Sequence, residues 1–175
     1  MSRGYGWRFL DMGRRLERAV FGCSALRLVR DTVDEPSSAL WDALLTITDT
    51  LVTYRRRYRS HIQEAPALDL LLFDEGSPRS VAYQFARLQE HVAGLPKKTT
   101  LPQRSAGERL VLEGLTMLRL VDLPHFLNGS QEKDAGEEFD RLLSRIGELL
   151  HAFSDAITTS YFRQTDLPQQ LVDLQ

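Results

Sequence analysis

The chain has 175 residues, of which 42% are hydrophobic and 26% are charged, so it is long enough to bury one hydrophobic core. Its 22 basic and 24 acidic side chains give a formal net charge of -2, which provides no global attraction to nucleic acids or anionic membranes. The single cysteine, Cys23, excludes an internal disulfide, and neither a signal peptide nor a membrane span is evident. We therefore expect a cytoplasmic protein with a single domain over residues 1–165 and a loose tail over residues 166–175.

Apolar side chains recur every three or four residues along most of the chain, as expected for helices that bury one face. The first pattern ends before Pro36, and the second continues through an arginine-rich segment to residue 59. Together the patterns predict helices over residues 5–30, 37–59, 66–75, 79–93, 104–121 and 132–163. No segment alternates polar and apolar residues over the length of a strand. We therefore predict an all-α bundle of about six helices, mostly antiparallel, with two or three long helices.

The end of the second predicted helix combines four arginines with two tyrosines in the sequence TYRRRYR. At about 100° per residue, Tyr54 and Tyr58 fall on the apolar stripe and are expected to anchor the core. Arg55 is expected to lie along the edge of the core, and Arg57 lies farther from the stripe, whereas Arg56 points outward.

A guanidinium at the edge of a core needs a carboxylate, backbone carbonyls or a bound anion, because an unpaired buried charge is unfavourable. For Arg55 and Arg57 we favour ion pairs with carboxylates such as Asp49, Asp69 or Asp155, and a site for an anion or a phosphate is the alternative. Single-strand binders need exposed aromatic rings beside their cations, whereas these tyrosines face the core. We therefore do not expect nucleic-acid binding.

Arg79 lies in the segment Ser-Pro-Arg-Ser, beside the N-terminus of a predicted helix. Ser77 is expected to cap this helix, with Pro78 at its first position. Because the helix dipole disfavours a cation there, Arg79 is expected to pair with Asp69 or Asp74, or to hold a bound anion.

The segment GRRLERA at residues 13–19 points Arg14 and Arg18 outward on the first predicted helix. Asp11 precedes Arg14 by three residues and Arg15 by four, so local ion pairs explain part of this charge. We interpret the segment as a solvated or partner-facing helix surface.

The sequence contains no evident motif for catalysis or metal binding. Glu148 and His151 form a Glu-x-x-His of the kind that di-iron bundles use in pairs, but both lie opposite the apolar stripe and the chain has no second copy. Cys23 lies on an apolar stripe and is expected to be a small buried hydrophobic residue. We therefore predict no metal site, no cofactor and no self-sufficient active site.

Five blocks of the sequence resemble, in the same order, blocks of the alpha-E domain family, an all-helical bacterial family of uncharacterised function. They are GWRFLDMGRRLERA, DTLVTYRRRYR, PALDLLLFDEGSPRSVAYQFARLQEH, LRLVDLP and SDAITTSYF. The family pattern Tyr-Arg-x-Arg-Tyr corresponds to Tyr54, Arg55, Arg57 and Tyr58. The family's Asn-Pro-Arg-Ser corresponds to residues 77–80, where serine replaces asparagine.

The resemblance implies that the chain corresponds to the C-terminal half of a longer family member. The other half would then come from a second copy of the chain or from a helical partner protein, so we expect a homodimer or such a complex. The family is encoded beside, or fused to, circularly permuted ATP-grasp proteins and transglutaminase-like proteins, which implies a role in a peptide-modifying or amide-forming system.

The function that we favour is a non-catalytic interaction module that binds an ATP-grasp-type partner or its anionic substrate through arginines. The alternative is a catalytic subunit with a composite pocket of arginines and acids. The secondary candidates for such a site are Asp49, Asp69, Gln84, Glu90, His91 and Asp155.

Overall fold

The computed structural model describes residues 4–32, 37–59, 61–96, 103–124 and 133–163. We number the helices within these ranges from α1 to α7, and no β-strand occurs in them. Their bounds are α1 Tyr5–Thr32, α2 Ser38–Ile47, α3 Leu51–Tyr58, α4 Glu64–Leu68, α5 Val81–Ala93, α6 Ala106–Arg119 and α7 Lys133–Ile157. A π-helical turn extends α4 over Asp69–Phe73, and another extends α7 over Thr158–Phe162. The predicted all-α fold is confirmed, while the predicted tail at 166–175 lies outside the described residues.

Four helices form the frame of the bundle, in which α1 packs on α5, α5 on α6, α6 on α7, and α7 back on α1. The contacts show that neighbours run antiparallel. Gly107, near the start of α6, faces Val92 at the end of α5 and Phe153 near the end of α7. Arg27 in the second half of α1 donates a hydrogen bond to Ser144 in the first half of α7.

The buried faces of the two long helices are those that the apolar periodicity predicts. On α7 the buried side chains step by three and four residues, and they include Phe139, Ile146 and Phe153. On α1 the stripe through Met12 and Cys23 is likewise buried. Burial raises the pKa of the Cys23 thiol to about 12, because the charged thiolate would lose its solvation. Cys23 is therefore a core residue, as expected.

The prediction of one continuous helix over 37–59 is wrong, because the chain turns sharply between α2 and α3. The hydroxyl of Thr48 donates to the Leu44 carbonyl, and that of Thr50 donates to the Leu45 carbonyl. The same two carbonyls also accept the backbone amides of Thr48 and Thr50, so side chains and backbone together hold the end of α2. Asp49 adopts a left-handed conformation with φ of 57°, which aspartate tolerates better than most residues. The turn places α3 on a new axis.

The α4 segment lies at the centre of the molecule and begins at Glu64 rather than at Pro66. Its π-helical turn contacts α1, α5 and α6, and the α-helical part contacts α2 and α3. Three consecutive residues, Leu70, Leu71 and Leu72, are all buried. Because consecutive helical residues point about 100° apart, the segment must be surrounded by protein on most sides.

The helices α5 and α6 approach each other closely at Gly114. A Cβ atom built on this glycine would lie 2.2 Å from Cε1 of Phe85 on α5. Only glycine therefore fits this crossing without displacement of the ring.

No helix in the described ranges is both long enough and apolar enough to span a membrane.

Candidate functional site

The two tyrosines of the arginine-rich helix α3 pack inward, as expected. Tyr54 is fully buried, and its hydroxyl donates to the His61 carbonyl at 3.2 Å and accepts from the Gln63 amide at 2.9 Å. The Tyr58 hydroxyl donates to Asp69 at 3.2 Å. Burial and the adjacent Asp69 carboxylate raise the pKa of Tyr58. The tyrosines thus hold α3 against the segment that follows it and against α4.

Arg55 and Arg57 pair with carboxylates other than those expected. Arg55 donates to Asp42 on α2 at 3.2 Å, and its side chain is 65% exposed, so it does not lie along the edge of the core. Its side chain instead extends over the surface to α2, on the other side of the turn that precedes α3. Arg57 donates to Asp74 at 2.5 Å. Both pairs are solvent-exposed ion pairs and contribute little to stability.

The N-cap of α5 is Ser80 and not the predicted Ser77. The Ser80 hydroxyl accepts from the Tyr83 amide at 3.0 Å and donates to the carbonyl of Asp74. Pro78 therefore lies before the helix and not at its first position. This arrangement directs Arg79 away from Asp69 and Asp74, which are not its partners.

Arg79 instead donates to Asp49 at 2.5 Å, 30 residues earlier in the chain. Asp49 is held in its left-handed turn between α2 and α3, and its side chain is 79% exposed. Arg79 is 39% exposed. The ion pair thus joins the α2–α3 turn to the start of α5 at the protein surface.

A cavity of about 130 Å³ opens beside this ion pair. Arg18 of α1, Arg79 and Asp49 contribute its charged groups. Arg18 makes no hydrogen bond or ion pair with any described residue. Two guanidinium groups thus face one carboxylate, so the charged part of the cavity carries an excess positive charge. The other lining residues are Phe21, Gly22, Leu26, Leu44, Ile47, Thr48 and Leu71.

The charged and apolar residues of the cavity lie at different depths. Leu26, Leu44 and Leu71 are nearly inaccessible to solvent and form its inner wall. Phe21 and Ile47 are 49% and 59% exposed, respectively, and stand at its opening together with the charged groups. The cavity is therefore apolar inside and positively charged at its opening.

A second polar cluster is buried between α1 and α5. Nε2 of His91 lies 2.7 Å from Oδ2 of Asp11, and Arg15 donates to the same oxygen at 3.0 Å. Although burial raises the pKa of Asp11, the hydrogen bonds from His91 and Arg15 outweigh it, so the net pKa is lowered. The edge of the Trp7 ring packs against the imidazole with 5.4 Å between ring centroids.

Gln84 connects this cluster to the segment that carries Arg79. Its amide oxygen accepts from Arg15 at 3.4 Å. Its amide nitrogen donates to the carbonyls of Pro78 and Ser80 at 2.9 and 3.1 Å. Because these two residues flank Arg79 in the chain, the fully buried Gln84 fixes the backbone from which the arginine extends.

The remaining candidates from the sequence do not lie in either cluster. Arg14 is exposed on α1, and Asp155 is exposed on α7 and pairs with neither Arg55 nor Arg57. Glu90 pairs with Arg87 one turn earlier on α5. The structure thus brings Arg18, Asp49 and Arg79 together, and it places His91 and Gln84 in a separate buried network. Within the described ranges, no group of three acidic, histidine or cysteine side chains is positioned to hold a metal ion.

Sequence reasoning missed the pairing of Asp11 with His91 and the role of Asp42. The expected local pair of Asp11 with Arg15 is present, but Asp11 also falls next to the buried stripe through Met12. An acid beside a buried stripe is a signal that it has a distant partner. Asp42 lies 13 residues before Arg55 and carries no comparable signal.

The fold is all-helical in the described ranges, and Arg18 and Arg79 both line the cavity beside Asp49. The model of the Alpha-E family, described as a predicted alpha-helical domain with a conserved ER motif, matches residues 1–162. The chain therefore belongs to the Alpha-E family.

The relatives found among curated proteins are uncharacterised. One is from Mycobacterium bovis and two are from strains of Mycobacterium tuberculosis, and each is 32% identical to this chain over 162 residues. The match covers 91% of this chain but 18% of each relative, so the chain spans less than a fifth of their length. No solved structure matches the chain.

The sequence Glu-Arg occurs twice, at Glu17-Arg18 and at Glu108-Arg109. In the first pair Arg18 lines the cavity, while Arg109 of the second pair donates to the Arg104 carbonyl at an exposed position of α6. The cavity is thus the place where a Glu-Arg pair meets the Ser-Pro-Arg-Ser segment.

Proposed function

We propose that the protein is a non-catalytic helical module of a bacterial peptide-modifying or amide-forming system, and that it binds an anionic group of its partner or substrate at the cavity of Arg18, Asp49 and Arg79. The observation that carries this proposal is the convergence of two arginines from distant segments on one small cavity, which a single carboxylate, paired with Arg79, also lines. Guanidinium groups suit this role because they remain charged and donate to carboxylates or phosphates in a fixed geometry.

The arginines of α3 are weaker candidates for the site. Arg55 and Arg57 each have a carboxylate partner, and neither lines this cavity. The two tyrosines pack α3 against its neighbours and both arginines are already paired, which favours the structural interpretation of the TYRRRYR segment. Arg18, in contrast, has no partner among the described residues and is available to a ligand.

The resemblance supplies the biochemical context of the proposal. In a system built around an ATP-grasp protein, that partner would activate a carboxylate, and the helical module would hold the substrate or dock on the partner. The match to a small part of long relatives supports the same view, because it is consistent with a domain that works beside others. A second copy of the chain, forming a homodimer, is the other partner that we propose, and sedimentation at micromolar concentration tests it.

The catalytic alternative has less support. Of the acids and bases considered for a composite pocket, only Asp49 lines the cavity. Asp69 accepts from Tyr58, Glu90 pairs with Arg87 and His91 pairs with Asp11. A general base must reach the proton that it removes, and these groups are engaged elsewhere.

The proposal is tested by titrating the isotope-labelled protein with acetate and with phosphate at constant ionic strength, using chloride as the reference. We expect saturable changes in the amide resonances of Gly22, Thr48 and Asp49. Arg79→Gln should weaken binding by about tenfold, because a charge-assisted hydrogen bond is lost. Asp49→Asn should strengthen it, since the carboxylate no longer competes for Arg79.

The matched control is Arg56→Gln, which removes an exposed arginine of α3 that makes no ion pair with a described residue. This variant should bind as the unmodified protein does. Because the Arg79 pair with Asp49 is exposed, neither of the other variants is expected to lose its fold. If Arg79→Gln binds acetate and phosphate as tightly as the Arg56→Gln control, the cavity is not an anion site.

A further inference from the structure

The apolar inner wall of the cavity favours a ligand that has an apolar group as well as a negative charge. If the site held only a phosphate or an acetate, its polar groups would suffice and its depth would serve no purpose. Beyond the arginines, however, the space ends against the side chains of Leu26, Leu44 and Leu71, which offer no hydrogen bonds. A polar ligand that entered this far would lose its hydration without compensation.

We infer that the ligand is an aliphatic carboxylate, whose hydrocarbon chain enters the leucine-lined space while its carboxylate remains at Arg18 and Arg79. This inference rests on the proposed anion site and names the substrate class. The carboxylate lies where the two guanidinium groups are exposed, and the chain occupies the part from which water is largely excluded. Each end of the ligand thus meets the environment that favours it.

The size of the cavity limits the length of the chain. An apolar cavity of about 150 Å³ holds a benzene molecule, so a cavity slightly smaller than that admits about four carbons beyond the carboxylate. The cavity here is about 130 Å³. A longer chain would have to leave through the opening, past Phe21 and Ile47.

Two sources supply this chemistry, namely a free short-chain acid and the C-terminal residue of a peptide with an aliphatic side chain. In both cases a carboxylate lies a few bonds from a small branched or linear hydrocarbon group. A free amino acid carries an additional ammonium group, which the Asp49 carboxylate at the opening would attract, so a free amino acid is tested beside these two sources.

The experiment is a series of ligands of increasing chain length on the unmodified protein. Acetate, propionate, butyrate, valerate, hexanoate and octanoate are titrated while the Gly22, Thr48 and Asp49 amides are followed. Each added methylene that enters the cavity should tighten binding by about fourfold. We expect this gain to continue to about valerate and then to stop, since hexanoate and octanoate exceed the space.

Two results would overturn the inference. Equal affinities from acetate to octanoate would show that the chain does not enter the cavity, although the anion site would stand. A gain that continues through octanoate would show adsorption to the surface and not a cavity of fixed depth.

Valeramide separates this inference from the proposed function. It has the chain of valerate but no charge, so it should bind at least about tenfold more weakly. If valeramide binds as tightly as valerate, the arginines do not recognise the carboxylate and the proposed anion site fails.

Three further ligands distinguish the sources of the carboxylate, namely N-acetyl-leucine, leucine and N-acetyl-leucine amide. Tighter binding of N-acetyl-leucine than of valerate identifies a peptide C-terminus as the source, and tighter binding of valerate identifies a free acid. Tighter binding of leucine than of both would contradict these two sources and assign the site to free amino acids. N-acetyl-leucine amide should bind weakly in every case, because it lacks the carboxylate.

Discussion

Replacing Gly114 of α6 by alanine probes the close approach of α6 to α5. The new Cβ would lie 2.2 Å from Cε1 and 2.7 Å from Cζ of Phe85, distances at which two carbon atoms cannot coexist. Phe85 is 1% exposed, so its ring is enclosed by other parts of the protein. The matched control is Gly147→Ala on α7, where nothing lies within 4 Å of the added Cβ.

The two substitutions share one energetic contribution and differ in the other. Alanine in a helix interior is favoured over glycine by about 1 kcal/mol, so Gly147→Ala should raise the free energy of unfolding by about that amount. In Gly114→Ala the same gain is opposed by overpacking, which costs about 1–3 kcal/mol and here should fall at the upper end because the contact is with a rigid ring. We therefore expect the two variants to differ by about 2–3 kcal/mol.

Urea denaturation followed by circular dichroism measures this difference, with thermal unfolding as a second readout. At about 2–4 °C per kcal/mol for a chain of this size, Gly114→Ala should melt well below Gly147→Ala. Adding Phe85→Leu should restore part of the loss, giving a non-additive double mutant. If Gly114→Ala is as stable as Gly147→Ala, α5 and α6 do not cross at this residue and the packing described above is incorrect.

Three further substitutions or treatments test other parts of the structure. Tyr54→Phe should lower the free energy of unfolding by about 1–3 kcal/mol, because it removes the hydroxyl that bonds two backbone groups, and unchanged urea denaturation would contradict that role. Asp11→Asn should destabilise the protein by a similar amount at neutral pH. The folded-state pKa of Asp11 lies below its ordinary value of 3.8, so its contribution is fully present above that pH and is lost as the pH falls through the folded pKa. The difference in stability between the Asp11→Asn variant and the unmodified protein should therefore shrink in acid, and a constant difference from pH 7 to pH 2 would refute the assignment. Cys23, with a pKa of about 12, should react with iodoacetamide at neutral pH only when the protein unfolds, and rapid alkylation of the native protein would show that α1 is not packed as described.

The helices and their buried faces could be predicted because the apolar period of a helix is a local property of the sequence. The stripe on α7 illustrates this, since the apolar side chains that recur every three or four residues from Phe139 to Ile157 are buried. The turn between α2 and α3 was missed because it contains neither glycine nor proline. Its features are two threonine hydroxyls that donate to carbonyls near the end of α2 and an aspartate in a left-handed conformation, and these depend on geometry that periodicity does not encode.

The partners of the charged residues were mostly wrong for a different reason. Arg79 and Asp49 are 30 residues apart in the chain, and His91 and Asp11 are 80 residues apart. A sequence indicates that a half-buried guanidinium needs an acid, but the choice among many acids is made by tertiary packing. Arg18 illustrates this limit of sequence-based prediction. Its outward direction could be predicted from helical periodicity, but the cavity that it lines is formed by segments that only the tertiary structure brings together.

The π-helical turn at Asp69–Phe73 takes part in both the cavity and the anchoring of α3. Leu71 forms part of the cavity wall, and Asp69, two residues earlier, accepts the hydroxyl of Tyr58. Because both residues belong to one turn of backbone, a displacement of this backbone would alter the cavity wall and the hydrogen bond to the arginine-rich helix together.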